Sequence, residues 1–185
     1  MLKVTTEKDG FTGLKKITTP LIDLTNFKSY NSILSMTIDQ LSDGFGESKG
    51  RNAFELFYAE SEEGQGTMAI RIYSLLSRSN NWPNWNDSWP LIIDGDRASL
   101  ESTSKNQYEK SNEFKVYNLP VDLFNKICNA KEVKFSLRGQ NLKVEGIFTS
   151  HHQTIFKAFE QFCFGDEAEG NKIVEILNKS LPNDD

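Results

Sequence analysis

The chain has 185 residues, with 26 acidic against 21 basic side chains and a net charge of −5. Two Cys are too few for a disulfide scaffold, and no apolar run approaches the roughly 18 residues of a membrane-spanning helix. An acidic chain with interspersed Lys and Arg lacks the electrostatic footprint of a nucleic-acid binder, while 37% hydrophobic residues and 13 Phe argue against wholesale disorder.

The N-terminal two thirds read as strands. Asp9-Gly10-Phe11-Thr12-Gly13 carries turn chemistry and leads into a short strand from Leu14 to Thr19, stopped at Pro20. Ser32 to Asp39 places Leu34, Met36 and Ile38 on one parity, and a Gly-rich break follows from Asp43 to Gly50. Phe54–Glu60 and Thr67–Ser77 form an expected hairpin around a polar loop, with Met68, Ile70 and Ile72 on one face. The clearest turn is Asp94-Gly95 between Leu91-Ile92-Ile93 and Ala98–Thr103, because a type I′ turn needs positive φ at both central residues. Ser102 to Asn112 is polar and reads as a loop, and Phe114 to Leu119 as another strand.

At Pro120 the period changes. Leu123, Phe124, Ile127 and Cys128 fall on one helical face, and Val133, Phe135 and Leu137 then alternate as a strand that turns at Gly139-Gln140-Asn141 into Leu142–Thr149. A Phe-rich helix is expected from an N-cap at Ser150 through Phe164, ended by Gly165, and a last amphipathic helix from about Asn171 to Ser180. Strands grouped early and helices late predict an α+β fold, a mostly antiparallel twisted sheet with the C-terminal helices on one face. With no repeat and no linker, one domain over residues 1–182 is expected, with a frayed acidic tail over 183–185.

Motifs that carry chemistry are sparse. Gly44 to Gly50 contains Gly, Ser and Lys, but its Lys precedes the last Gly and no Ser or Thr follows it, so no phosphate loop is expected. His151 and His152 are neighbours at a helix start, about 100° apart, and cannot share a metal as an i, i+4 pair would. They read as solvent-facing. Cys128 and Cys163 lie on apolar helical faces and are expected to be reduced, buried and inert. Asp94 and Asp96 are explained by turn chemistry. No cofactor and no metal are expected.

The compositional anomaly is Asn80 to Pro90, which holds all three Trp of the chain among Asn, Asp and Ser. Trp82, Trp85 and Trp89 with Asn84 and Asp87 are the candidate ligand-binding residues. Indole faces beside amides and a carboxylate suit a sugar or small ligand, the same surface suits a protein partner, and Trp side chains also pin long loops to a core. In the intermediate arrangement Trp89 is buried, with Trp82 or Trp85 more exposed near the loop tip.

The expected function is a soluble, non-enzymatic binding or protein-interaction module. The alternatives are carbohydrate or small-ligand binding through the Trp-rich loop, and a hydrolase with an unsignalled carboxylate site. A cytoplasmic location is expected, since the start of the chain has no apolar leader; the alternative is a secreted or periplasmic chain with its leader removed.

Overall fold

In a computed structural model the chain is described over residues 2–10, 12–24, 29–30, 51–75, 83–109, 112–140 and 143–181. The expected strand at Ser32–Asp39, the Gly-rich break, Trp82 and the acidic tail lie outside the described residues. Among the described residues twelve strands come in chain order: β1 (Thr5–Lys8), β2 (Lys15–Thr18), β3 (Leu21–Asp23), β4 (Ser29–Tyr30), β5 (Arg51–Glu60), β6 (Gly66–Leu75), β7 (Ser88–Ile93), β8 (Asp96–Glu101), β9 (Gln107–Glu109), β10 (Asn112–Asn118), β11 (Val133–Arg138) and β12 (Lys143–Ile147). Helix α1 (Val121–Asn129) precedes β11, while α2 (Ser150–Phe164) and α3 (Glu167–Ser180) follow β12. The fold is α+β, with every described pairing antiparallel and every described helix after Pro120.

The strands divide between two sheets. The larger runs β1-β2-β5-β6-β10-β9, with β3 paired to β5 and β4 to β3; the smaller runs β12-β11-β7-β8. The division follows from side-chain parity. On β5 and β6, Phe54, Leu56 and Tyr58 stand opposite Ile72, Ile70 and Met68 on one buried face. On the smaller sheet, Trp89, Leu91 and Ile93 share the inner face with Val133, Phe135 and Leu137. Helix α2 joins the two layers, because Phe156 packs against Phe54 of the larger sheet (centroids 5.8 Å apart) and against Phe148, just after β12 (5.4 Å). Phe148 also meets Phe135 at 5.1 Å, so one aromatic cluster spans both sheets and the helix.

Local chemistry explains most element ends. Asp94 and Gly95 have φ of +49° and +95°, the left-handed pair that an Asp-Gly hairpin turn requires. The Asp94 carboxylate also accepts the Lys131 and Glu132 amides, tying the hairpin tip to the segment entering β11. Helix α3 begins earlier than the Asn171 expected from periodicity, at Glu167. The Asp166 carboxylate caps the Ala168 N–H, and Gly170 lets the helix approach Phe162 and the Ala158 carbonyl of α2. The polar stretch read as a loop contains β9, held by its register with Asn112–Phe114.

Helix α2 corrects two expectations. Its cap is Thr149, not Ser150, and His152 is fully buried instead of solvent-facing. The Thr149 amide donates to His152 Nδ1 at 3.0 Å, and His152 Nε2 lies 2.9 Å from the Asp23 carbonyl. These neighbours assign the neutral Nε2–H tautomer, which donates to Asp23 while Nδ1 accepts. The ring takes the place of the Glu or Gln usual in a capping box and packs beside Phe54 and Phe148. Burial holds the imidazole below its ordinary pKa of 6.5, although the Asp23 carbonyl and carboxylate pull the other way. A folded-state pKa below the unfolded one means that the unfolded chain binds the proton first. Stability from this site is therefore complete above about pH 6.5 and is lost as pH falls through the folded-state value. Thermal melts are expected to show this loss below neutrality in the wild type. A His152→Gln chain, which keeps a capping acceptor but cannot titrate, should lack this component. An equal acid slope in both chains refutes the assignment.

Both thiols are free and buried, and burial pushes Cys128 up to about 12 and Cys163 well above its ordinary value. No helix among the described residues is long and apolar enough to cross a membrane.

Candidate functional site

The Trp-rich segment is described from Pro83 onward, and its backbone is clamped by one strand. Alternate positions along β10 put Glu113, Lys115 and Tyr117 on a single face, opposite Ser74, Ile72 and Ile70 of β6. All three are buried. Glu113 accepts the Asn84 amide at 3.0 Å and the Trp85 amide at 3.1 Å, one on each carboxylate oxygen. Lys115 Nζ donates to the Trp85 carbonyl at 2.9 Å and to Asp87 Oδ1 at 2.6 Å. Tyr117 donates its hydroxyl to the Asn86 carbonyl at 2.8 Å. Alternate side chains of the strand therefore read successive peptide groups of the loop, which satisfies backbone that would otherwise be buried without partners.

From its other side the loop is held by the end of β11. Asn86 donates to the Arg138 carbonyl at 2.8 Å, and Trp85 and Gly139 form an antiparallel bridge. Gly139 is required at this crossing, since a Cβ there would collide with the Pro83 carbonyl. Asn84, at φ +48°, accepts the Tyr108 hydroxyl at 2.6 Å. With its amide oriented to match its neighbours, Asn106 brackets the Trp85 peptide, accepting its N–H at 3.1 Å and donating to its carbonyl at 3.3 Å.

The indoles are turned inward. Trp85 is 2% exposed and Trp89 fully buried, the latter against Tyr117, Phe135 and Phe148. Neither indole offers a face for stacking; they fill the core margin, as large aromatics beneath a loop do. Trp89 is buried as expected; of the two residues expected to be more exposed, Trp85 is not, because its backbone clamp draws it under the loop, and Trp82 lies outside the described residues. Asn84 and Asp87 stay at the surface, where with Lys105, Asn106, Lys115 and Gln140 they line a polar depression of about 410 Å³. The Lys115 ammonium, through its hydrogen bond and its charge, holds the Asp87 carboxyl below the usual range.

A second concavity, of about 670 Å³, lies on the outer face of the smaller sheet. The strand registers generate it. Ile92 stands opposite Arg97 on β8 and Lys134 on β11, and Lys134 opposite Ile147 on β12. A row of Arg97, Ile92, Lys134 and Ile147 therefore crosses all four strands, alternating cation and isoleucine. Ile92 and Ile147 are 39% and 50% exposed. Arg138 and Glu145 complete the rim, and Lys134 is ion-paired at 2.8 Å with Glu132 just outside it. Lys143, and after it Ser136, bind Glu145 and hold its carboxyl below the usual carboxylate range.

No family model, no curated protein and no solved structure matches this chain.

Sequence reasoning missed Glu113, Lys115 and the row across the smaller sheet. The row is invisible without register, because its four members are drawn from four strands between Ile92 and Ile147. A further polar cluster, in which Arg71 donates to both Glu55 and Tyr73, sits on the face of the larger sheet away from α2. Burial raises Glu55 and pushes Tyr73 up to about 12. Among the described residues no group of three or more His, Cys, Asp or Glu is placed to hold a metal ion.

Proposed function

We propose that the chain is a protein-interaction module whose contact surface is the outer face of the smaller sheet. The observation that carries this reading is the row Arg97, Ile92, Lys134, Ile147, with its two exposed isoleucines between cations. Apolar side chains bracketed by charge on a sheet surface serve recognition: desolvating the isoleucines supplies affinity, and the cations select an acidic partner. The partner that fits is an extended segment carrying Asp or Glu beside apolar residues.

The carboxylates support binding over hydrolysis. Each concavity is lined by a single acid, Asp87 in one and Glu145 in the other, and neighbouring donors keep both ionised. General-acid chemistry calls instead for a carboxyl raised toward neutrality.

Selection of a random peptide display library on the immobilised chain tests the proposal. The recovered peptides are expected to combine acidic and apolar residues. They should lose binding to an Ile92→Glu, Ile147→Glu chain whose melting temperature is unchanged, because both positions face solvent. Peptides indifferent to these substitutions, or an absence of enrichment, would overturn the proposal.

A further inference from the structure

The loop clamp leaves a buried cation facing an open depression. The Lys115 side chain is 3% exposed, yet its ionic partner Asp87 is 87% exposed. A buried ammonium is stable only when its charge and its donors are met, and here the counter-charge is a carboxylate that water reaches freely. Two of the three Lys115 N–H donors go to the Trp85 carbonyl and Asp87, and the third is unused among the described residues. Lys105 adds a second cation to the lining, beside Asp87 at the surface and the Glu113 carboxylate beneath the loop.

The rest of the wall is amide. Asn106 is committed to the Trp85 peptide and Asn84 Oδ1 to the Tyr108 hydroxyl, so hydroxyl groups would pair with the second N–H of each amide and with Gln140, while the buried Trp85 indole supplies no stacking platform. A volume of about 410 Å³ suits a molecule the size of one sugar ring.

We propose that this depression binds a hydroxyl-rich monocarboxylate, such as a sugar acid, whose carboxylate joins or displaces Asp87 at the Lys115 ammonium. The site is separate from the sheet face assigned above and stands or falls independently of it.

The experiment is a titration of the isotopically labelled chain with D-glucuronate, followed by NMR, beside D-glucose and sulfate as controls. Glucuronate is expected to shift the side-chain amides of Asn84, Asn106 and Gln140 and the Asp87 backbone saturably, whereas glucose and sulfate do not. Lys105→Met should weaken binding about two- to fivefold, the range of an exposed ion pair. Asp87→Asn removes the competing carboxylate and should tighten it, an effect opposite in sign to that of a damaged loop. The proposal fails if neither the wild type nor Asp87→Asn shows saturable shifts. It fails equally if sulfate reproduces them, or if Asp87→Asn weakens binding while its melting temperature is unchanged.

Discussion

Trp89→Ala is expected to destabilise the fold by about 3–5 kcal/mol, the range for removing a large aromatic from a packed core. Trp89 is fully buried, with its ring centroid 5.6 Å from Tyr117, 6.2 Å from Phe135 and 6.4 Å from Phe148. It is therefore in contact with β10, β11 and the approach to α2 at once, and no single neighbour can collapse into the space it leaves. Its indole N–H has no hydrogen-bond partner among the described residues. Trp89→Phe consequently forfeits packing but no bond, and should cost distinctly less than the alanine change. Urea denaturation of the three chains measures both. A loss below about 1 kcal/mol for Trp89→Ala would mean that the indole is not a core pin, since core truncations of this size cost several times more.

Removing the Glu113 carboxylate should be the next most damaging change, through hydrogen bonding instead of volume. Each buried amide left without an acceptor costs about 1–3 kcal/mol, and Glu113→Ala deprives both the Asn84 and the Trp85 N–H of their carboxylate. The two amides are not equivalent, because the Asn106 side-chain oxygen stands 3.1 Å from the Trp85 nitrogen as a second acceptor. Hydrogen exchange should therefore accelerate more at Asn84 than at Trp85. Glu113→Gln is expected to rescue only part of the loss, since one of its two terminal atoms becomes a donor pointed at an N–H. Unchanged exchange at both amides in Glu113→Ala would show that the loop does not depend on the clamp.

The parts of the fold legible from sequence were those set by local chemistry. Asp94-Gly95 announced its hairpin, Pro120 marked the change from strand to helix period, and the Phe stripe of α2 identified its buried face. The division into two sheets was not legible, because β7 finds β11 only after some forty residues and no local signal names that partner. His152 was misplaced for a related reason. A helix-start histidine looks solvated until Asp23, 129 residues earlier, supplies a carbonyl for its ring. On β10, hydrophobicity favours turning Phe114 and Val116 inward, yet Glu113, Lys115 and Tyr117 take the core side because the loop's peptide groups need partners there. The candidate residues Asn84 and Asp87 do reach a common surface. Trp85 and Trp89 instead hold that surface from beneath.

The amide of Asn178 on α3 and the backbone of Leu2 exchange two hydrogen bonds, each 2.8 Å long, across 176 residues of sequence. On a ribosome adding about 5–20 residues per second, Leu2 must wait roughly ten to thirty-five seconds for that partner to be synthesised. Throughout the interval Leu2 and Val4, which end 1% and 6% exposed, have no finished core to enter. Docking of residues 2–4 against α3 is therefore among the last contacts that the growing chain can make.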